Sequence, residues 1–196
     1  MFDTVLIAGL GLMGGSMAKT IKARTLSRVL GWNRTRATAE QALADGSIDA
    51  IATEALYKEA DLVIIGLYPQ ATVDWLLENM PKMKKGCVIV DMVGVKQFMV
   101  DHLEQAALDA GVHYVGGHPM AGREFSGLDF ALPTLFDGAS MIFVPTKSSN
   151  ERVLEQLEAY FMSLGFGQTV RCTAQQHDHM IAFTSQLAHV VSSAYI

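Results

Sequence analysis

Cysteine is scarce in this 196-residue chain. Its two, Cys87 and Cys172, lie far apart, and neither has a Cys or His partner at ligand spacing. A disulfide framework and a metal site are therefore not expected, and both residues read as reduced thiols of an intracellular protein. Long hydrophobic runs are missing too: none approaches the ~20 residues that a membrane span needs. Met1-Phe2-Asp3 passes straight into a strand pattern, so no signal peptide is expected. Positive charge is not in excess, since the formal net charge is -5. Lys82, Lys84 and Lys85 form the only tight basic cluster and read as the solvated end of a helix. That balance argues against a nucleic-acid partner. There is no internal repeat, low-complexity tract or flexible linker. What these absences leave is a cytoplasmic, globular chain without nucleic-acid or membrane partners.

What is present is a regular alternation. Thr4 to Ala8 is a short apolar, β-branched run that reads as a buried parallel strand. Leu12 to Arg24 places Met13, Met17, Ala18 and Ile21 at helical spacing. Val29 to Asn33, Asp61 to Leu67 and Cys87 to Met92 read as further strands, with a short extra one within Ile48 to Ala52. Thr35 can cap a helix over Arg36 to Ala44, and helices are expected at about 70–80 and 97–109. Val112 to Val115 and Ser140 to Val144 add strands around a Gly/Pro-rich loop, followed by a helix over Glu151 to Leu164 and a strand over Gln168 to Cys172. This rhythm predicts an α/β fold with right-handed βαβ units and a Rossmann-type doubly wound sheet. From Ala174 a single helix is expected to run to the end of the chain. Residues 1–172 form the expected dinucleotide-binding domain, and 173–196 the start of a helical one.

The turn Gly9-Leu10-Gly11-Leu12-Met13-Gly14 follows a strand and opens a helix, as a dinucleotide fingerprint requires. Gly9 permits the tight turn, Gly11 lets a pyrophosphate approach, and Gly14 lets helix and strand pack closely. Free N–H groups at the helix start, around Leu12 and Met13, face the phosphates. A purely structural strand-to-helix turn in another doubly wound fold is the competing reading. At the end of the second strand, where NAD sites usually carry an acid, the chain has Asn33-Arg34-Thr35, with Arg36 close behind. Loss of the carboxylate removes repulsion toward a 2′-phosphate, and guanidinium forks suit phosphate oxygens, which favours NADP. Asn33 can also hydrogen-bond a plain ribose, so NAD stays open. Tyr68-Pro69 would line the crevice at the strand ends.

The chemistry is expected in Gly116-Gly117-His118-Pro119-Met120-Ala121-Gly122-Arg123-Glu124-Phe125-Ser126-Gly127. His118, between glycines and a proline just past a strand, reads as a loop residue. Its imidazole can accept a proton while hydride leaves the same carbon. Downstream, Asp178, Ser185 and His189 fall at i, i+7 and i+11, one polar stripe on an otherwise apolar helix; it reads either as the solvated face or, since apolar residues spread over the other sides, as a line facing a cleft. Met180, Phe183, Leu187 and Val191 are expected on its buried side. His102, His113, His177 and His179 read as surface or structural residues.

The run from His118 to Gly127, downstream of the glycine turn and of Asp91-Met92-Val93-Gly94-Val95-Lys96, resembles the prephenate dehydrogenase family, including its arogenate-using relatives. Gln176-His177-Asp178 and the segment Ala182 to His189 fit the same pattern. The resemblance implies NAD(P)-dependent oxidative decarboxylation of prephenate to 4-hydroxyphenylpyruvate, or of arogenate to tyrosine, in tyrosine biosynthesis. His118 would bind the ring hydroxyl and remove its proton, and His189 would contact the substrate or order the site. Glu124 and Ser185 would form a polar gate, and Lys96 would close a motif beside the nicotinamide. It also implies a further helical domain that forms a homodimer core and supplies a substrate-binding arginine, so the chain is expected to be part of a longer protein.

Three departures stand out. Gly94 occupies the place of a family serine that hydrogen-bonds the catalytic histidine. Gln186 and Ala188 replace a histidine and a proline of the helix segment. Arg123 stands where a small residue is common and can add positive charge for a dicarboxylate. Two rival readings remain. A β-hydroxyacid-type dehydrogenase shares the glycine turn and the Asn-Arg-Thr run, but residues 174–196 lack the lysine that it requires. A catalytically inactive dinucleotide-binding module is the other.

Overall fold

The computed structural model describes residues 2–183, which form one eight-stranded sheet flanked by helices. Its strands are β1 (Thr4–Ala8), β2 (Arg28–Trp32), β3 (Ala50–Ile51), β4 (Leu62–Ile65), β5 (Val88–Asp91), β6 (His113–Pro119), β7 (Ser140–Pro145) and β8 (Gln168–Arg171), in the order β3-β2-β1-β4-β5-β6-β7-β8. Every pairing is parallel except that of β6 with β7. The helices are α1 (Leu12–Arg24), α2 (Arg36–Ala44), α3 (Glu54–Tyr57), α4 (Pro69–Asn79), α5 (Gln97–Ala110), α6 (Glu151–Ser163) and α7 (Ala174–Ile181). This is the Rossmann-type doubly wound arrangement.

Alternation along each central strand builds two cores. Val5 and Ile7 of β1 with Leu62 and Ile64 of β4 join Met17 and Ile21 of α1 and Leu157 of α6. Leu6, Ala8, Val63 and Ile65 point the other way, onto Leu76 of α4 and Met99 and Leu103 of α5. A side chain fully buried on either face is worth roughly 1.5–3 kcal/mol, and β1 and β4 are apolar throughout residues 5–8 and 62–65. The chain order reverses between β1 and β4, which opens a crevice above their carboxyl ends.

Helix ends follow local chemistry. Asn150 caps α6 by accepting from the Val153 N–H, and Gly111 closes α5 with a left-handed φ of 70°. Thr173 and Gln176 form a reciprocal capping box at the start of α7, so a new helix begins directly after β8. Among the described residues no helix is long and apolar enough to cross a membrane.

Three expectations are corrected. His118 is not in a loop: β6 runs on to Pro119, and His118 pairs with Ile142 of β7. The antiparallel partner draws Gly116 and Gly117 into the ladder, and a Cβ on Gly117 would lie 2.4 Å from the Asp91 carbonyl oxygen. Thr35 sits at the α2 N-cap position but makes no side-chain capping bond. Met180 and Phe183, expected on a buried helix face, are both exposed.

Candidate active site

The glycine turn is fixed by close approaches. Gly9 has a φ of +93°, and a Cβ on it would stand 2.7 Å from the Gly66 carbonyl oxygen. A Cβ on Gly14 would fall 1.8 Å from the Gly9 carbonyl oxygen. A Cβ on Gly11, by contrast, would meet nothing within 4 Å, so this backbone faces open space. That opening belongs to a cleft of about 300 Å³ lined by Gly11, Leu12 and Met13, by Gly66, Leu67 and Tyr68 after β4, by Met92, and by Phe125, Ser126 and Gly127. An extended phosphate group fits here: a bare glycine backbone and the N-terminus of α1 meet in a space that a side chain at Gly11 would fill. Gly66 was not singled out from sequence. A Cβ there would lie 3.0 Å from Gly14 N, so it is the opposing half of the same close contact.

Asn33 is less free than its position at the end of β2 suggests. Its Oδ1 accepts the Leu10 N–H at 3.0 Å and its Nδ2 donates to the Thr35 carbonyl at 3.1 Å. Arg34 is exposed, and the Arg36 Nε donates to Glu40 Oε1 at 2.8 Å on the open surface of α2. Tyr68 is 86% exposed at the cleft mouth, with Pro69 in the first turn of α4.

The second half of the site is a buried polar chain. Asp91, at the end of β5, binds Lys96 through an ion pair with both side chains fully buried. It also accepts from Tyr114 Oη at 2.7 Å and from the Val93 N–H at 2.9 Å. Burial, opposed by Asp91, pulls the Lys96 ammonium below its usual pKa, and burial with the Asp91 charge drives the Tyr114 phenol well above its own. Lys96 therefore does not open onto the cleft mouth. It stands under the strand that carries His118, where a Cβ on Gly116 would touch its Cδ at 3.0 Å.

His118 Nδ1 lies 2.8 Å from His177 Nε2, and His177 Nδ1 lies 2.7 Å from Asp178 Oδ1. The opposite edge of the His118 ring faces Gly94, whose added Cβ would be 3.8 Å from Nε2 and Cε1. Burial, then the neighbouring His177 and Lys96, push the His118 pKa down to about 4, against the pull of Asp91 and Asp178. His177, read as a surface or structural residue, is fully buried against the candidate base. Asp178 does not simply line a cleft, because its carboxylate accepts the backbone N–H groups of Lys96 at 2.7 Å and Gln97 at 2.9 Å, at the start of α5.

Arg123 and Glu124 are exposed on the loop after β6. The Arg123 Nη1 donates to the Phe130 carbonyl at 3.4 Å and its guanidinium sits 5.4 Å from the Phe125 ring centre. Ser185 and His189 lie outside the described residues, so the polar stripe is seen only at Asp178.

Residues 17–168 match the family model described as prephenate dehydrogenase, nucleotide-binding domain. The chain belongs to the prephenate dehydrogenase family. It is 33% identical over 200 residues to a prephenate dehydrogenase of Bacillus subtilis, covering 100% of this chain and 53% of that protein. It is 30% identical over 197 residues to a cyclohexadienyl dehydrogenase of Zymomonas mobilis, covering 97% of this chain and 65% of the other. The chain thus spans about half to two thirds of the length of these relatives. A crystal structure of prephenate dehydrogenase from A. aeolicus in complex with hydroxyphenyl propionate and NAD+ superposes with a TM-score of 0.89 at 26% identity, over 100% of this chain and 68% of that one. Synechocystis arogenate dehydrogenase gives 0.88 at 27%, over 98% and 67%. A mycobacterial 3-hydroxyisobutyrate dehydrogenase, at 0.75 and 16%, shares the fold alone.

Proposed function

We propose that this chain is the nucleotide-binding part of an NAD(P)-dependent dehydrogenase that oxidatively decarboxylates prephenate or arogenate, with His118 as the general base. One observation carries the reading: His118 is tethered through Nδ1 to His177, and its Nε2 edge faces Gly94. The depressed pKa, near 4, keeps the ring neutral at neutral pH, so that one of its nitrogens has a free lone pair, as a base that takes a hydroxyl proton must.

Gly9, Gly11, Leu12, Met13 and Gly14 would hold the pyrophosphate, with Tyr68 and Pro69 bordering the crevice. When bound, the dinucleotide supplies the hydride acceptor. His118 orients the ring hydroxyl and takes its proton as the carbon is oxidised; loss of the ring carboxylate as carbon dioxide then makes the ring aromatic and drives the step forward. Arg123 and Glu124, on the exposed loop beside the cleft, would border the substrate together with Ser185 and His189.

The reading extends to domain layout and cofactor choice. We take residues 1–172 as the nucleotide-binding domain; the capping box at Thr173 opens α7, and the proposed domain that starts at 173 is the one through which the protein would pair as a homodimer. The absence of a carboxylate after β2, with Arg34 exposed there, supports NADP over NAD. The test is direct. Prephenate or arogenate with NADP or NAD should raise absorbance at 340 nm. Turnover of 3-hydroxy acids instead would overturn the reading, and so would tight dinucleotide binding without reduction by the whole protein of which this chain is the nucleotide-binding part.

A further inference from the structure

His177 and Asp178 have no role in the reading above, although His177 is as deeply buried as the core of the sheet. Their hydrogen bonds admit one neutral arrangement. A carboxylate only accepts, so the His177 Nδ1 that lies 2.7 Å from Asp178 Oδ1 carries the proton. Asp178 stays ionised: burial opposes this, but the Gln97 and Lys96 N–H groups and the His177 ring hold its pKa below the usual carboxylate range. The Nε2 of neutral His177 is then bare and accepts. At 2.8 Å it must receive a proton from His118 Nδ1. His118 Nε2, on the Gly94 side, is left as the free lone pair.

We propose that Asp178 and His177 are positioning residues that fix His118 as its Nδ1–H tautomer and accept its Nδ1 proton when Nε2 takes one from a substrate hydroxyl. This rests on reading His118 as the base. In the balanced step the substrate O–H bond breaks and an Nε2–H bond forms on His118. The Nδ1–H proton moves across to His177 Nε2, and the imidazolium so formed lies against the Asp178 carboxylate. The charge then rests on a ring hydrogen-bonded to the Asp178 carboxylate, which favours its charged form, while burial and Lys96 oppose it. The other charges near His118 are Asp91, neutralised by Lys96, and Asp178 itself. Because the Asp178 carboxylate also takes the N–H groups that open α5, the relay is anchored to the helix after the Gly94 loop as well as to α7. Orientation of the base thus depends on α7 being docked.

The test combines a tautomer measurement with turnover. In protein labelled with 15N-histidine, with the His118 signals assigned through His118→Asn, the nitrogen shifts at pH 7 should report a proton on Nδ1 and none on Nε2. His177→Gln keeps an acceptor oxygen near the place of Nε2 but cannot take up a proton, so it should keep that tautomer with a lowered kcat. His177→Phe keeps volume but removes the acceptor. It should give a mixed tautomer and a kcat lowered roughly 10- to 100-fold, with the KM for dinucleotide unchanged. A wild-type His118 protonated on Nε2, or a His177→Phe protein with unaltered tautomer and kcat, overturns the proposal. Should His177→Phe fail to fold, the wild-type and His177→Gln shifts decide it. If no variant oxidises prephenate or arogenate, the functional reading fails, while the tautomer result still judges the relay.

Discussion

Leu10 and Asn33 are joined across the floor of the crevice: the Leu10 N–H donates to Asn33 Oδ1 at 3.0 Å, while Asn33 Nδ2 holds the Thr35 carbonyl at 3.1 Å. The end of β2 therefore braces the glycine turn from the side. Asn33→Ala leaves the Leu10 N–H without this acceptor, and a bond of this kind is worth about 0.5–1.5 kcal/mol. Dinucleotide Kd should rise roughly 2- to 10-fold, for NAD and NADP alike, because the turn itself loosens. Asn33→Asp still accepts from Leu10 but places a negative charge beside the 2′ position. It should weaken NADP more than NAD. Fluorescence titration of the two cofactors measures both effects, and equal losses with Asp would show that no 2′-phosphate comes near.

Gly11 and Gly14 belong to one motif but should fail differently. A Cβ at Gly14 would collide with the Gly9 carbonyl oxygen at 1.8 Å, whereas one at Gly11 would enter empty cleft. Gly14→Ala should destabilise the fold by about 1–3 kcal/mol or more, since backbone must move. Gly11→Ala should leave Tm near that of the wild type yet raise dinucleotide Kd at least 10-fold. Thermal melts with and without cofactor separate the two. A Gly11→Ala protein that still binds normally would remove the pyrophosphate from this cleft.

The strands and the glycine turn are legible because they are local: short continuous apolar runs and a fixed spacing of small residues need no knowledge of distant partners. The Asp61 to Leu67 and Cys87 to Met92 runs were trimmed to β4 and β5 but kept their place. Long-range pairing was not legible. His118 is a strand residue only because β7, reached through a long loop, pairs antiparallel with β6. His177 reads from sequence only as a surface or structural histidine, because its partner, His118, is 59 residues away. Asp178 read as part of a cleft-facing stripe, yet its carboxylate caps a helix 81 residues earlier. Gly66 carried no signal of its own, because its need for glycine arises only where β4 meets the turn after β1.

Lys96 and Asp91 form a fully buried ion pair whose remaining acceptor sites are filled by Tyr114 and the Val93 N–H. Lys96→Met would leave a carboxylate without its counter-charge, a change that typically costs about 3–5 kcal/mol. Chemical denaturation should show a loss of that order. Lys96 also holds the His118 pKa down, so the same variant should move the acid limb of the kcat/KM profile toward higher pH. A variant that is stable and has an unmoved limb would mean that the pair is better solvated than its burial indicates.

His118 fixes the sign of a pH dependence. Its folded pKa of about 4 lies below the ordinary histidine value of 6.5, so between those values the unfolded chain binds more protons than the native one. The associated stability is complete above about pH 6.5 and is lost as pH falls toward 4; His177, also depressed by burial first, adds a contribution of the same sign. Melting temperature should drop between pH 7 and 5, by less in His118→Asn than in the wild type. Turnover behaves differently. The base form persists to about pH 4, so the acid limb of kcat/KM should lie well below 6.5, and His118→Asn should abolish most turnover with cofactor Kd unchanged. A limb near 6.5 would show His118 to be far more exposed to water in the working enzyme.

Gly94 offers a gain rather than a loss. It is exposed, its φ is not in the left-handed region, and a Cβ added there would rest in ordinary contact, 3.8 Å from His118 Nε2 and Cε1. A hydroxyl one bond further out can reach the bare Nε2 or a substrate hydroxyl bound to it, in the place where the family carries a serine. Gly94→Ser should therefore fold normally and raise kcat/KM about 2- to 10-fold, the effect of one added hydrogen bond in the transition state. Gly94→Ala supplies the same Cβ without the hydroxyl and separates steric from polar effects. If Ser and Ala behave alike, the His118 ring does not present Nε2 to the reacting hydroxyl from this side, and the geometry assigned to the base is wrong.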